Sequence, residues 1–404
     1  MKRLLLWIHL AICLTMLLTA CGGNGLSFGP TPEPASITFA VPDEYNEFYT
    51  AKIAEFIKQE PKITVEIQNI NSSTSDLPDV AVSRWSDAFD SGGDRLAQGL
   101  DLTPFLEQGK EFNRADYYPG LLDAYTRDGK LKGIPTGVNP FVILYNQDLF
   151  DKYGVPLPQT GWSWNDFKTA AMQLRDPASK IYGYASNQNY VDAMFFVYQH
   201  GGSLVNGGQT PKLDSPEAIE ALEWYAKLFT STGVAPTEEQ ARQDFNGQAQ
   251  EGIAQGKVAM WMSPVSVIVG PNGKGWPFRI GVAPLPRDVV AFTVAQYEGL
   301  MISSKTKSPA ASWKLVKYLS DQPLPWMVPA RLSLANSPAF AASMGKQQAG
   351  GALTAMQDAS LISTFDFRAL NTVIEAFTRA TQAVVEGKAT AAEALAVAQQ
   401  AVSK

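Results

Sequence analysis

Between residues 37 and 82 the chain alternates short β-prone runs with a helical run, and this alternation constrains the fold more than any other feature. Ile37-Thr38-Phe39-Ala40-Val41 is rich in strand formers. From Asp43 to Gln59, Phe48, Ile53, Phe56 and Ile57 recur at helical spacing, and Pro61 stops the run. Ile63-Thr64-Val65-Glu66-Ile67 alternates as a second strand, and Pro78-Asp79-Val80-Ala81-Val82 reads as a third. Strand–helix–strand units pair their strands in parallel, and a parallel sheet must be covered on both faces. The expected class is therefore α/β, with helices on both sides of a mainly parallel sheet.

The rest of the chain continues in kind. Leu131 to Pro135 reads as a turn, and Phe141 to Tyr145 as an apolar strand near the middle of the molecule. A helix opens at Trp162-Ser163-Trp164, with Ser163 as its cap and Asp166 three residues on, as in a capping box. Ser215 to Thr230 is amphipathic, with Ile219, Leu222, Ala226 and Phe229 on one face. Strands are expected at 258–262, 280–284 and 299–303, and helices at 309–319 and 377–403, the last split near Gly387. At 404 residues, 45% hydrophobic and 18% charged, the chain has material for two large domains with filled cores.

The start has the layout of a secretory leader. Lys2 and Arg3 precede an apolar run, Leu4 to Leu18, that is short for a membrane span. Leu18-Thr19-Ala20-Cys21 resembles a bacterial lipoprotein box, which implies cleavage after residue 20, a lipid on the Cys21 thiol, and anchorage on the extracytoplasmic face of the cell membrane without a transmembrane helix. Residues 21–35, rich in Gly, Pro and Ser, read as a flexible tether.

These features exclude several chemistries. The sequence has two cysteines, Cys13 and Cys21, so the chain beyond Cys21 has no disulfide, thiolate metal site or cysteine nucleophile. His200 is the single histidine beyond the leader, so a multi-histidine metal site is out of reach and no metal or cofactor is expected. The formal charge of -6 becomes more negative once Lys2 and Arg3 leave, and no basic run exists to hold nucleic acid.

Eight segments then stand in a fixed order: Leu77-Pro78-Asp79-Val80, Gly99 to Phe105, Gly129 to Pro135, Leu144 to Phe150, Trp164 to Phe167, Gly256 to Met260, Gly281 to Pro286, and Ala311 to Leu315. Together they resemble the family-1 extracellular solute-binding proteins of ATP-binding cassette importers, the maltose-binding-protein type. The resemblance spans roughly residues 36 to 320. It implies a two-lobe, type II periplasmic-binding-protein fold with hinge strands between the lobes. The first lobe would hold 36–138 plus 290–327, and the second 139–289 plus 328–404. It further implies a monomer without enzymatic activity that closes on a carbohydrate, an oligosaccharide, and delivers it to membrane permease subunits.

A sugar site wants aromatic plates for ring faces and polar side chains for hydroxyls. Candidates follow the expected strand ends. Glu44 and Tyr45 come after the first strand, where Asp43 is assigned the helix cap, and Arg84, Trp85 and Asp87 after the third. Asn139 lies in the crossing segment, where maltose-type relatives often carry a carboxylate. Asn189 and Tyr190 follow Tyr182-Gly183-Tyr184, and Trp261 and Ser263 end the 258–262 strand. Tyr297 and Glu298 precede the strand that re-enters the first lobe. Trp164, Trp224 and Trp313 are assigned to packing, whereas Trp276 and Trp326 lie in Gly/Pro-rich loops open to either role.

Other readings compete. Glu298 with Asp87 suits a cationic solute such as a polyamine, a peptide is a further candidate, and Tyr117-Tyr118 invites comparison with ferric-ion binders, although Pro119 and a helix-like context point to packing. A secreted glycoside hydrolase needs two carboxylates at a set separation, and nothing singles out such a pair.

Overall fold

The computed structural model describes residues 34–69, 77–88, 94–108, 113–186, 190–206, 210–361 and 367–403. The leader, the lipidation candidate Cys21, the tether up to residue 33, and Asn189 lie outside these residues, as does the side chain of Asp87.

The strands of the main sheet are β1 (Ala35–Val41), β2 (Ile63–Asn69), β3 (Val80–Arg84), β4 (Gly133–Asn146), β5 (Met260–Pro264), β6 (Ile280–Ala283), β7 (Thr293–Ile302), β8 (Val328–Pro329) and β9 (Ala359–Leu361). The path runs β6-β4-β7-β3-β1-β2, with β5 and β8 also on β4, and β9 on β7. The expected parallel core is present: β1 pairs in parallel with β2 (Ile37 opposite Val65) and with β3 (Phe39 opposite Val80). Ile37, Phe39 and Val41 are fully buried, as the period of two requires. The helix after β1, Asn46–Gln59, buries Tyr49, Ile53 and Phe56 against this sheet. Asp43 is not its cap, because Asp43–Tyr45 forms a separate 3-10 turn that places the aspartate inside the bend.

Two long strands serve both halves of the molecule. β4 pairs antiparallel with β7 from Gly133 opposite Met301 to Pro140 opposite Ala295. Beyond that point, Phe141 to Tyr145 pair with β5 and Ile143 to Asn146 with β6. β7 in turn pairs its C-terminal end, Glu298 to Ile302, with β3. The turn expected at 131–135 is therefore the start of a strand. Pro135 sits opposite Gly299, where the register shifts, and Pro140 ends the first ladder. A proline has no N–H to give a ladder and is tolerated at such breaks, which is why the local sequence imitates a turn. β7 likewise starts at Thr293, so Gln296-Tyr297-Glu298 lies within the strand rather than before it.

The Ser163 capping box closes as expected, with the helix over Trp164–Gln173. The C-terminal helices occupy Phe367–Val385 and Ala391–Val402, with Gly387 at φ +70° between them. Gln399 ties the last helix to the 210–213 loop, accepting from the Leu213 N–H at 2.6 Å and donating to the Pro211 carbonyl at 3.0 Å. The helix Lys346–Gln357 has no strong sequence signal, since it carries Gly350 and Gly351. It docks on β6: a Cβ on Gly351 would lie 2.2 Å from the Val282 carbonyl oxygen. Gln347 donates to the Tyr145 hydroxyl at 2.9 Å and to the Val282 carbonyl at 3.0 Å.

Candidate functional site

The carboxyl ends of β1 and β3 open on the same side, where ligands of α/β proteins collect. β1 delivers Glu44 and Tyr45, β3 delivers Arg84, and β7 brings Glu298 alongside. These four form one cluster. Arg84 Nε donates to Glu298 Oε1 at 3.2 Å and Nη2 donates to Glu44 Oε1 at 2.5 Å. The guanidinium also stands 5.6 Å from the Tyr45 ring centroid. Burial works against the Arg84 charge, but Glu298, Tyr45 and Glu44 outweigh it and hold the group above its ordinary pKa. Glu298 is 5% exposed, so its carboxylate depends on that partner. Tyr45 stacks on Trp326, centroids 4.2 Å apart and planes 9° apart. Burial pushes its hydroxyl well above the usual tyrosine range, so it stays a neutral donor.

The opposing wall comes from β5 and the turns after it. Trp261 is fully buried and packs on Trp276 at 5.2 Å, and Trp276 stacks on Phe278 at 5.5 Å. The half-buried Trp276 is fixed by its Nε1–H, which donates to the Val267 carbonyl at 3.1 Å. The two walls face each other across a cavity of about 500 Å³. It is lined by Glu44 and Tyr45 from one side and by Gln250, Trp261, Ser266 and Trp276 from the other. The lips meet at Gly273, where an added Cβ would lie 3.6 Å from the Glu44 carbonyl oxygen.

Asn139 is not among the residues lining this cavity. It is 4% exposed, and its amide donates to Ser266 Oγ at 2.9 Å and to Gln296 Oε1 at 3.3 Å, while its oxygen accepts from the Ser266 N–H at 2.9 Å. It thus bolts β4, β7 and the turn that carries Ser266 together. Tyr297 points the other way: neighbours in a strand face opposite sides, and its ring packs on Tyr125 at 5.5 Å, away from the Glu298 cluster. Ser263 is fully buried within the sheet; Ser266, three residues on, is the serine that reaches the cavity. Trp85 begins the 3-10 turn after Arg84 and packs half-buried against the core, outside the lining.

Tyr190 lines a second cavity of about 420 Å³ with Ser186, Thr237, Glu238 and Gln248, and Gln250 borders both cavities. Tyr184, Ser186 and Tyr225 all donate to the buried Asp192 carboxylate, which anchors this region. Burial raises the Asp192 pKa despite these donors. Sequence reasoning did not select Gln250 or Ser266, and it left Trp276 open between ligand contact and packing. The first two are common polar residues with no local signature, and Trp276 stands in a loop whose position only the fold reveals.

No helix among the described residues is long and apolar enough to cross a membrane. Among the same residues no group of three or more His, Cys, Asp or Glu is placed to hold a metal ion.

Comparison with known proteins agrees with this architecture. The arabinooligosaccharide-binding protein of Bacillus subtilis (strain 168) is 22% identical over 305 residues, covering 70% of this chain and 68% of the relative. A putative binding protein of Brucella abortus (strain 2308) is 24% identical over 261 residues, and there the match spans 60% of the relative's length. Among solved structures, the ABC substrate-binding protein Lmo0181 from Listeria monocytogenes in complex with cycloalternan superposes with a TM-score of 0.72 at 22% identity, covering 92% of this chain and 98% of that one. Maltose-bound T. maritima MalE3 gives 0.68 at 18%, covering 91% and 99%. These likenesses establish the two-lobe binding-protein fold. The sequence profile of the bacterial extracellular solute-binding protein family matches residues 42–322, and this chain belongs to that family.

Proposed function

We propose that the chain captures a carbohydrate, an oligosaccharide, in the cavity between its two halves and hands it unaltered to the permease of an ATP-binding cassette importer. The observation that carries the reading is the make-up of that cavity. Tyr45, Trp261 and Trp276 offer rings, while Glu44, Gln250 and Ser266 offer hydroxyl-seeking groups. The relatives named for arabinooligosaccharides, cycloalternan and maltose support it. We assign 36–138 with 290–327 to the first lobe and 139–289 with 328–404 to the second, with β4 and β7 as hinges. Cys21 is the lipid attachment site in this reading, holding a monomer at the extracytoplasmic face. No catalytic step is assigned to any residue.

A thermal-shift screen of the purified protein against neutral oligosaccharides tests the reading. A true ligand at ~100 times its dissociation constant adds ~2.7 kcal/mol of stability. A panel covering arabino-, malto-, cello- and cyclic oligosaccharides that leaves the melting temperature unchanged refutes it.

A further inference from the structure

The charge distribution around the cavity restricts which sugar fits. Among the described lining residues, Glu44 carries the only formal charge, and 43% of its side chain is exposed. No lysine or arginine lines the cavity among those residues. The nearby cation, Arg84, is shared between Glu44 at 2.5 Å and Glu298 at 3.2 Å, so among the described residues these three sum to one negative charge. A ligand carboxylate or phosphate that drew Arg84 toward itself would leave Glu298, 5% exposed, as an uncompensated buried anion. An ammonium group meets no such obstacle. It finds the Glu44 carboxylate together with the half-buried Trp276, whose ring attracts cations through its quadrupole.

We propose that this cavity takes a sugar bearing a protonated amino group in preference to its neutral counterpart, and turns away the corresponding acid. The proposal rests on the carbohydrate reading above and names the substrate class of the same site. Glu44 supplies the discrimination, and Arg84 holds Glu44 aimed while itself being unavailable to an anion.

Matched sets test it by calorimetry: glucose, glucosamine and glucuronate; galactose, galactosamine and galacturonate; and cellotriose with the chitosan trimer. In any set that binds, the amino member should bind about fivefold tighter than the neutral one at low salt, the worth of one partly exposed ion pair. That advantage should shrink at high salt, and the acid should not bind. Glu44→Gln should bring the amino-to-neutral ratio close to one. The salt series on the unaltered protein decides the matter even where Glu44→Gln does not fold. A neutral sugar that binds as well as its amino analogue, or an acid that binds at all, overturns the proposal and leaves the carbohydrate reading intact. Silence from every set overturns the proposal, and the oligosaccharide panel decides the carbohydrate reading separately.

Discussion

Asn139→Ala separates a structural bolt from a ligand contact. In the structure the side chain makes three hydrogen bonds, all to residues that lie far away in sequence: Ser266 Oγ, the Ser266 N–H and Gln296 Oε1. Each such bond is worth ~0.5–1.5 kcal/mol net, and a buried N–H left without an acceptor adds ~1–3 kcal/mol of cost. The Ser266 hydroxyl can turn to solvent in the cavity it lines, which recovers part of the loss. The sum is ~2–4 kcal/mol of destabilisation. Unfolding entropy of ~2.1 cal/mol/K per residue converts this to a fall in melting temperature of ~2–5 °C for a chain of this length. Scanning calorimetry reads the shift, and titration with whichever sugar binds reads the affinity. Both should fall, since Ser266 loses its support. An unchanged melting temperature beside a weakened affinity would show that Asn139 touches the ligand itself. No change in either would show that the bolt carries nothing.

Other outcomes follow from the same coordinates. Gly351→Ala should destabilise the protein by ~1–3 kcal/mol, because the added Cβ meets the Val282 carbonyl at 2.2 Å. Gly350→Ala, with nothing within 4 Å of its Cβ, should stabilise by ~0.5–1 kcal/mol in a urea melt. Trp276→Ala should weaken sugar binding by ~1–3 kcal/mol while Trp85→Ala leaves it nearly unchanged, and the reverse order in a titration would move the site to the first half's outer turn. His200 is held by Asp288 at 2.6 Å and Glu220 at 3.0 Å, and chiefly the Asp288 bond raises its pKa above the usual 6.5. A raised imidazole pKa gives stability that is complete below 6.5 and is lost as pH rises through the folded-state value. Melting temperature should therefore carry a falling component on the alkaline side of 6.5 that His200→Gln removes; identical pH profiles for the two proteins would refute this.

The first α/β unit was legible because local pattern and tertiary role agree there. β1 buries the residues that its spacing nominates; its helix buries Ile53 and Phe56 together with Tyr49 and leaves Phe48 and Ile57 half-buried, β2 buries Ile63 and half-buries Val65 and Ile67, and the extra 3-10 turn takes Asp43 out of the cap. The hinge strands were half legible. Pro135 and Pro140 hid the start of β4, and Gly299 hid the bulge in β7, since a strand broken for register looks like a turn to any local rule. Glu44, Tyr45, Arg84 and Glu298, nominated by counting from strand ends, come together in one cluster, and Trp261, nominated from the end of its strand, lines the cavity beside it. Tyr297 and Ser263 do not line that cavity, because facing is decided by one residue of register, which the sequence did not supply. Ser266 and Gln250 owe their place to the turn and helix behind β5, whose geometry has no signature of its own. The helix 346–357 was hidden because its paired glycines, poor for an isolated helix, are what lets it approach β6.

β4 also acts as a shared ruler for the whole molecule. One continuous backbone keeps phase for two separate ladders, so the side chains of both halves are counted from the same origin. Inserting or deleting a single residue near Pro140 would swap the two faces for everything downstream on that strand, forcing Val142 and Leu144 into the differently shaped buried places of Ile143 and Tyr145 while leaving the first ladder untouched. The length of this crossing is thus fixed to the residue, even where the identity of the side chains along it is free to drift.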